Sequence, residues 1–183
     1  MKKQWVIFAC SLLVSLFSLN ASDVAASKSH YVQLSSRQDQ LATIDEINKG
    51  IVVILENMDG IEGMGFDTKT NEVSIQEEGV YFCMAVAQVG AREYVGGIVK
   101  GGDVYFWLER NRKAIENSGS WVFASPTSRS HTIVDQLILS CKKGDLIRCK
   151  FATSSPSMGL ITFAATEKWP AAPGITLSIY KMN

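Results

Sequence analysis

The feature that most constrains this chain is a period of two in its apolar residues. Val80, Phe82, Met84 and Val86 alternate with Tyr81, Cys83, Ala85 and Ala87, and Val104, Phe106 and Leu108 alternate with Tyr105, Trp107 and Glu109. Ile147, Cys149 and Phe151 alternate with Arg148 and Lys150, and Ile175, Leu177 and Ile179 with Thr176, Ser178 and Tyr180. Ile133, Leu137, Leu139 and Cys141 share one parity, broken by Asp135. Successive side chains on a strand point to opposite faces, so this pattern predicts half-buried β-strands. The run Ile51-Val52-Val53-Ile54-Leu55 is continuous and mostly β-branched, which predicts a strand buried on both faces. Leu41, Ile44 and Ile47, at three-residue spacing within Gln38 to Asn48, offer one short helix.

Turn signals divide the runs: Asp59-Gly60, Glu78-Gly79, Gly96-Gly97, Gly101-Gly102-Asp103, Asn117-Ser118-Gly119 and Gly144-Asp145. Many short strands at this spacing suit a sandwich or barrel. No linker rich in Pro, Gly or Ser interrupts residues 27–183 and no internal repeat is evident, so they read as one domain. Two packed antiparallel sheets fit that length.

The N-terminus carries a different signal. Met1-Lys2-Lys3 is positive, Trp5 to Leu19 is uncharged, and Val24-Ala25-Ala26 places small or short residues before a cut after Ala26. Residues 1–26 therefore read as a secretory signal peptide, with an uncleaved anchor or a lipoprotein built on Cys10 as alternatives. The expected location is outside the cell or in the periplasm, with no membrane association after cleavage. Removal of Lys2, Lys3 and Asp23 changes the balance from 18 basic against 18 acidic residues to 16 against 17. Such near-neutrality excludes a strongly basic nucleic-acid binder. The four cysteines fall to three, Cys83, Cys141 and Cys149. All three lie on alternating strands and read as buried thiols, although one disulfide among them stays open. A simple hairpin closed by Lys142 to Asp145 would set Cys141 opposite Leu146 and not Cys149.

Several stretches, in order, resemble the jelly rolls of the tumour necrosis factor and complement component 1q superfamily, in its bacterial or phage form. Asn71 to Phe82 resembles the polar strand, turn and "G-x-Y" strand. Asp103 to Asn111 resembles the "x-x-W-L-x-x-N-G" strand and turn, and Ala114 to Ser118 the segment after it. Leu137 to Asp145 resembles the "L-x-L-x-x-G-D" corner, Pro173 to Tyr180 the C-terminal strand, and Tyr31 to Gln40 the entry segment. The resemblance covers residues 31–182. It departs at Arg112, where the family has Gly, and a turn without that glycine is expected to take another conformation. The resemblance implies a two-sheet antiparallel jelly-roll sandwich and a homotrimer packed about an aromatic axis. The matching positions are Tyr81, Phe82, Trp107 and Tyr180.

The residues offer little catalytic chemistry. His30, expected within a loose tail at 27–30, and His131 form no close ligand spacing. Asp67, Asn71 and Glu72 share a loop without a D-x-D-x-D-G calcium pattern, so a solvated turn is expected, with calcium binding left open. Ser128, Ser130, His131 and Asp135 supply the residue types of a triad, but His131 and Asp135 would stand about 13 Å apart on a strand. Glu77, Glu78, Asp103 and Glu109 could form a glycosidase pair only if the fold collected two of them. Gly96-Gly97 and Gly101-Gly102 lack the Lys-Ser/Thr of a phosphate loop. The expectation is a secreted, non-enzymatic, trimeric binding module without cofactor or metal, recognising a surface protein or glycan. A structural protein of the cell envelope and a polysaccharide-acting enzyme are the alternatives.

Overall fold

A computed structural model describes residues 29–92, 101–125 and 130–182. The expected signal peptide, residues 27 and 28, Gly96-Gly97 and Ser128 lie outside the described residues. The chain forms β1 (Tyr31–Ser36), β2 (Gln40–Leu41), β3 (Ile51–Val52), β4 (Asn57–Glu62), β5 (Met64–Asp67), β6 (Glu72–Ile75) and β7 (Gly79–Ala91). It continues through β8 (Gly102–Arg110), β9 (Lys113–Ala114), β10 (Ser120–Ala124), β11 (His131–Cys141), β12 (Leu146–Thr153), β13 (Met158–Leu160) and β14 (Ile175–Met182).

These strands make two antiparallel sheets that pack face to face as a sandwich. In the first, β7 lies between β14 and β11, and β1 and β4 follow beyond β14. In the second, β12 lies between β6 and β8, with β10 at the edge beyond β8. Among the main strands, β6 to β7, β7 to β8, β10 to β11 and β11 to β12 each change sheet. That connectivity is a jelly roll.

The alternation sets the core. Tyr81, Cys83, Ala85, Ala87 and Val89 of β7 point inward against Phe106 and Leu108 of β8 and Ile147, Cys149 and Phe151 of β12. Small residues on β7 leave room for the rings of the facing sheet, as close packing requires. Tyr81 is fully buried, and its hydroxyl donates to the Glu77 carbonyl at 2.6 Å.

Four local expectations are corrected. The segment 51–55 is not buried on both faces: Val53 and Leu55 are buried, but Ile54 is exposed. The helix over 38–48 is absent; Gln40–Leu41 is a strand and Ile44–Glu46 a single 3-10 turn. Gln40 is claimed by the sheet, since its side chain accepts from the Ile54 amide at 2.7 Å and donates to the Ile54 carbonyl at 2.9 Å. Asp59-Gly60 lies within β4, not in a turn. Finally, β11 and β12 belong to different sheets, so the 142–145 turn is a crossing and closes no hairpin. Cys83, Cys141 and Cys149 are buried free thiols.

The turn after β8 also differs from expectation. Asn111 and Arg112 both have positive φ, 52° and 64°, the conformation of a primed hairpin turn without its glycine. The Asn111 side chain is locked by Asp145 Oδ1 at 2.7 Å and the Leu146 amide at 2.9 Å.

Candidate self-association and binding faces

The outer face of the first sheet is unusually apolar. The pairing register sets Tyr180 beside Phe82 and Phe82 beside Ile138, giving one apolar row across β14, β7 and β11. Met182 stands beside Val80, and Val86 beside Val134. Val80, Val134, Ile138, Tyr180 and Met182 are exposed, Ile138 at 64%. The Phe82 and Tyr180 rings meet with centroids 5.1 Å apart. Isolated exposed apolar residues are ordinary, but here they form a contiguous set on one sheet face. The same face ends at β11, an eleven-residue edge strand whose other side pairs with no strand among the described residues. Unpaired edges of this length favour contact with another chain.

The four expected axis residues divide. Phe82 and Tyr180 lie together on this face. Tyr81 is corrected to a core residue: as the neighbour of Phe82 on one strand it must point the opposite way, and it is fully buried. Trp107 is outward, but on the second sheet, so no single axis can collect all four. Sequence parity could have found Val134 and Ile138, since both oppose Ile133 and Leu139 on β11.

The outer face of the second sheet carries an aromatic belt. Trp121 of β10 stands beside Tyr105 of β8, with ring centroids 6.4 Å apart, and Trp107 lies one strand position pair along β8. Tyr105, Trp121 and Phe123 are exposed. Trp107 is half-buried under Lys150, whose Nζ lies 5.8 Å from its ring centroid. Gly50 lets the preceding turn close on this pair; an added Cβ would fall 2.8 Å from Lys150 and 3.1 Å from Trp107. Gly119, Ala114 and Ala152 contribute no bulk between the rings, which leaves an open groove of about 450 Å³.

Beside the belt runs a ladder of charges. Arg148 reaches Glu109 at 2.7 Å and Glu72 at 3.4 Å, and Lys150 reaches Glu109 at 3.5 Å. Arg112 joins Glu72 from the turn. The hydrogen bond from Arg112 is the chief influence holding the Glu72 carboxyl below the usual carboxylate range. The two carboxylates of this ladder, Glu72 and Glu109, are thus each engaged by two cations.

The other candidate groups are placed as follows. Asn71 accepts from the Leu55 amide at 2.8 Å and Asp67 from the Lys69 amide at 2.8 Å, so this loop turns its acceptors to its own backbone. Asp135 points into the core, Ser120 donates to it, and His131 stays four residues away along β11. Glu77 pairs with Lys181 and with His30 at 3.1 Å. The His30 carbonyl also accepts from the Lys181 amide at 2.8 Å, which ties residue 30 to the C-terminal strand, and Ser29 donates to Glu62 of β4 at 2.7 Å, so these two residues are not a loose tail. No group of three or more His, Cys, Asp or Glu side chains among the described residues is arranged to hold a metal ion. No helix among them is long and apolar enough to cross a membrane.

The chain matches no protein-family model and no curated protein sequence.

Proposed function

We propose that the protein is a non-enzymatic binding module, secreted or periplasmic, that assembles as a homotrimer and recognises a surface protein or glycan multivalently. The observation that carries this reading is the apolar row Tyr180, Phe82 and Ile138 on an outer sheet face, with Tyr180 and Ile138 exposed, Phe82 half-buried between them, and no strand among the described residues paired beyond β11. Two copies can cover such rows symmetrically, whereas a face meeting an edge is heterologous and closes into a ring of three when each copy is turned by a third of a revolution. The order of matching segments over residues 31–182 favours the tumour necrosis factor-like jelly roll and hence three copies.

The aromatic belt of Tyr105, Trp121 and Trp107 supplies the ligand face on the opposite sheet. Exposed rings with polar neighbours present large contact area at low conformational cost, for a sugar ring or a protein side chain alike. Three such faces on one rigid body convert weak contacts into avidity.

Binding to immobilised glycans and surface proteins at varied surface density tests the reading. Apparent affinity is expected to rise with density for the wild-type protein. That dependence should vanish in Tyr180→Glu, while Trp121→Ala loses binding in the intact assembly. A density-independent affinity, or hydrolysis of the bound glycan, contradicts it.

A further inference from the structure

We propose that Asp135 is a proton-dependent latch between the two sheets, whose state sets how firmly β10 and the Trp121 ring are held. Asp135 lies on β11 of the first sheet, points into the sandwich and is 6% exposed. Its Oδ1 accepts from Ser120 Oγ on β10 of the second sheet. Its Oδ2 is buried and has no hydrogen-bond partner. The contact therefore spans the sheets at the side where both edge strands, β10 and β11, meet. Ser120 points in and the next residue, Trp121, points out into the aromatic belt, so a shift of β10 moves both.

Among the described residues the surroundings give the carboxylate no compensating charge. From β7, its paired residue is Ala85, with the Cys83 thiol one inward position away. From β12 the titratable neighbour is the Cys149 thiol, from β10 the only polar group is Ser120, and the facing β8 residues Phe106 and Leu108 are apolar. Burial pushes Cys83 up to about 12 and Cys149 higher still, so both thiols stay neutral at acid and neutral pH. His131 stands about 13 Å along the same strand. No Lys, Arg or His among the described residues lowers the proton affinity of Asp135, and burial raises it.

The sign follows from linkage. A carboxyl that binds its proton more tightly when folded gives full stability below the unfolded value of about 3.8 and loses it as pH rises. The neutral acid sits in the core with one hydrogen bond. The anion, with one oxygen unpartnered, favours openings of β10 that admit water. Each unit by which the folded value exceeds the unfolded one raises the β10 opening equilibrium about tenfold at neutral pH.

Two measurements on the full chain test this. Carbon-13 titration of the wild-type Asp135 carboxyl is expected to give a value above 3.8; an ordinary or lower value overturns the proposal. Amide exchange of β10, corrected for intrinsic rates, is expected to show more opening at neutral than at acid pH, by about tenfold for each unit by which the titrated value exceeds 3.8. Asp135→Asn should remove that pH dependence, and Ser120→Ala should leave β10 loosened at both pH values. Equal opening at both pH values in the wild type, or the wild-type dependence retained in Asp135→Asn, overturns it.

Discussion

Arg112 meets Glu72 at two points, Nε to Oε1 at 3.0 Å and Nη2 to Oε2 at 3.3 Å. This pair explains how a turn that needs positive φ is made without glycine. Arg112 accepts the left-handed conformation, and its side chain is thereby aimed at a carboxylate that is almost fully buried on β6.

Substituting Arg112 separates the two contributions. Arg112→Ala loses the ion pair and keeps the backbone strain; Arg112→Gly loses the pair and relieves the strain. Arg112→Gly should therefore be the more stable of the two by about 1 kcal/mol, read by denaturant unfolding. Glu72 is held below its ordinary value chiefly by Arg112, so its stabilisation exists above pH of about 4.5 and fades as pH falls through the folded value. The gap between wild type and Arg112→Gly should narrow over that same acid range.

Tyr81→Phe should cost about 1 kcal/mol, the net worth of its hydroxyl bond to the Glu77 carbonyl. The oligomeric state should not change, because Tyr81 lies in the core. A changed assembly with unchanged stability would place the ring at an interface.

The three thiols should resist alkylating reagents in the folded protein and react on unfolding, since all are buried and burial raises each of them. A reductant should leave the unfolding midpoint unchanged. Cys149→Ser, which buries a hydroxyl, should cost about 1–3 kcal/mol.

Asp39 gathers the Arg92 guanidinium at 2.6 Å and the Thr162 amide at 2.7 Å, which pins the segment 161–174. Burial opposes ionisation of Asp39, but the bonds from Arg92 and Thr162 outweigh it and hold the carboxyl below 3.8. The Thr162 amide should be protected above that value and lose protection as pH falls through the folded one. Asp39→Asn should expose it at all pH values, as amide exchange would report.

The strands were legible because alternation is a local property. Which parity faces inward was not, because both parities of β7 are apolar; Tyr81, Cys83, Ala85 and Ala87 go in, and the bulkier Val80, Phe82, Met84 and Val86 go out. The sheet assignment was hidden for a second reason. Most consecutive main strands change sheet, so β11 and β12 look like a hairpin in sequence and lie in opposite layers. That crossing also separates Trp107 from Phe82. The Arg112 turn was misread because a residue-type rule sees the missing glycine and not Glu72, forty positions away.

Sedimentation equilibrium of the chain lacking residues 1–26 tests the central claim most directly. A single species at three times the chain mass is expected. Tyr180→Glu and Ile138→Lys should each convert it to monomer with an unchanged β-sheet circular dichroism spectrum. A wild-type protein that stays monomeric at all concentrations, with the row of Tyr180, Phe82 and Ile138 open to water, would contradict the account.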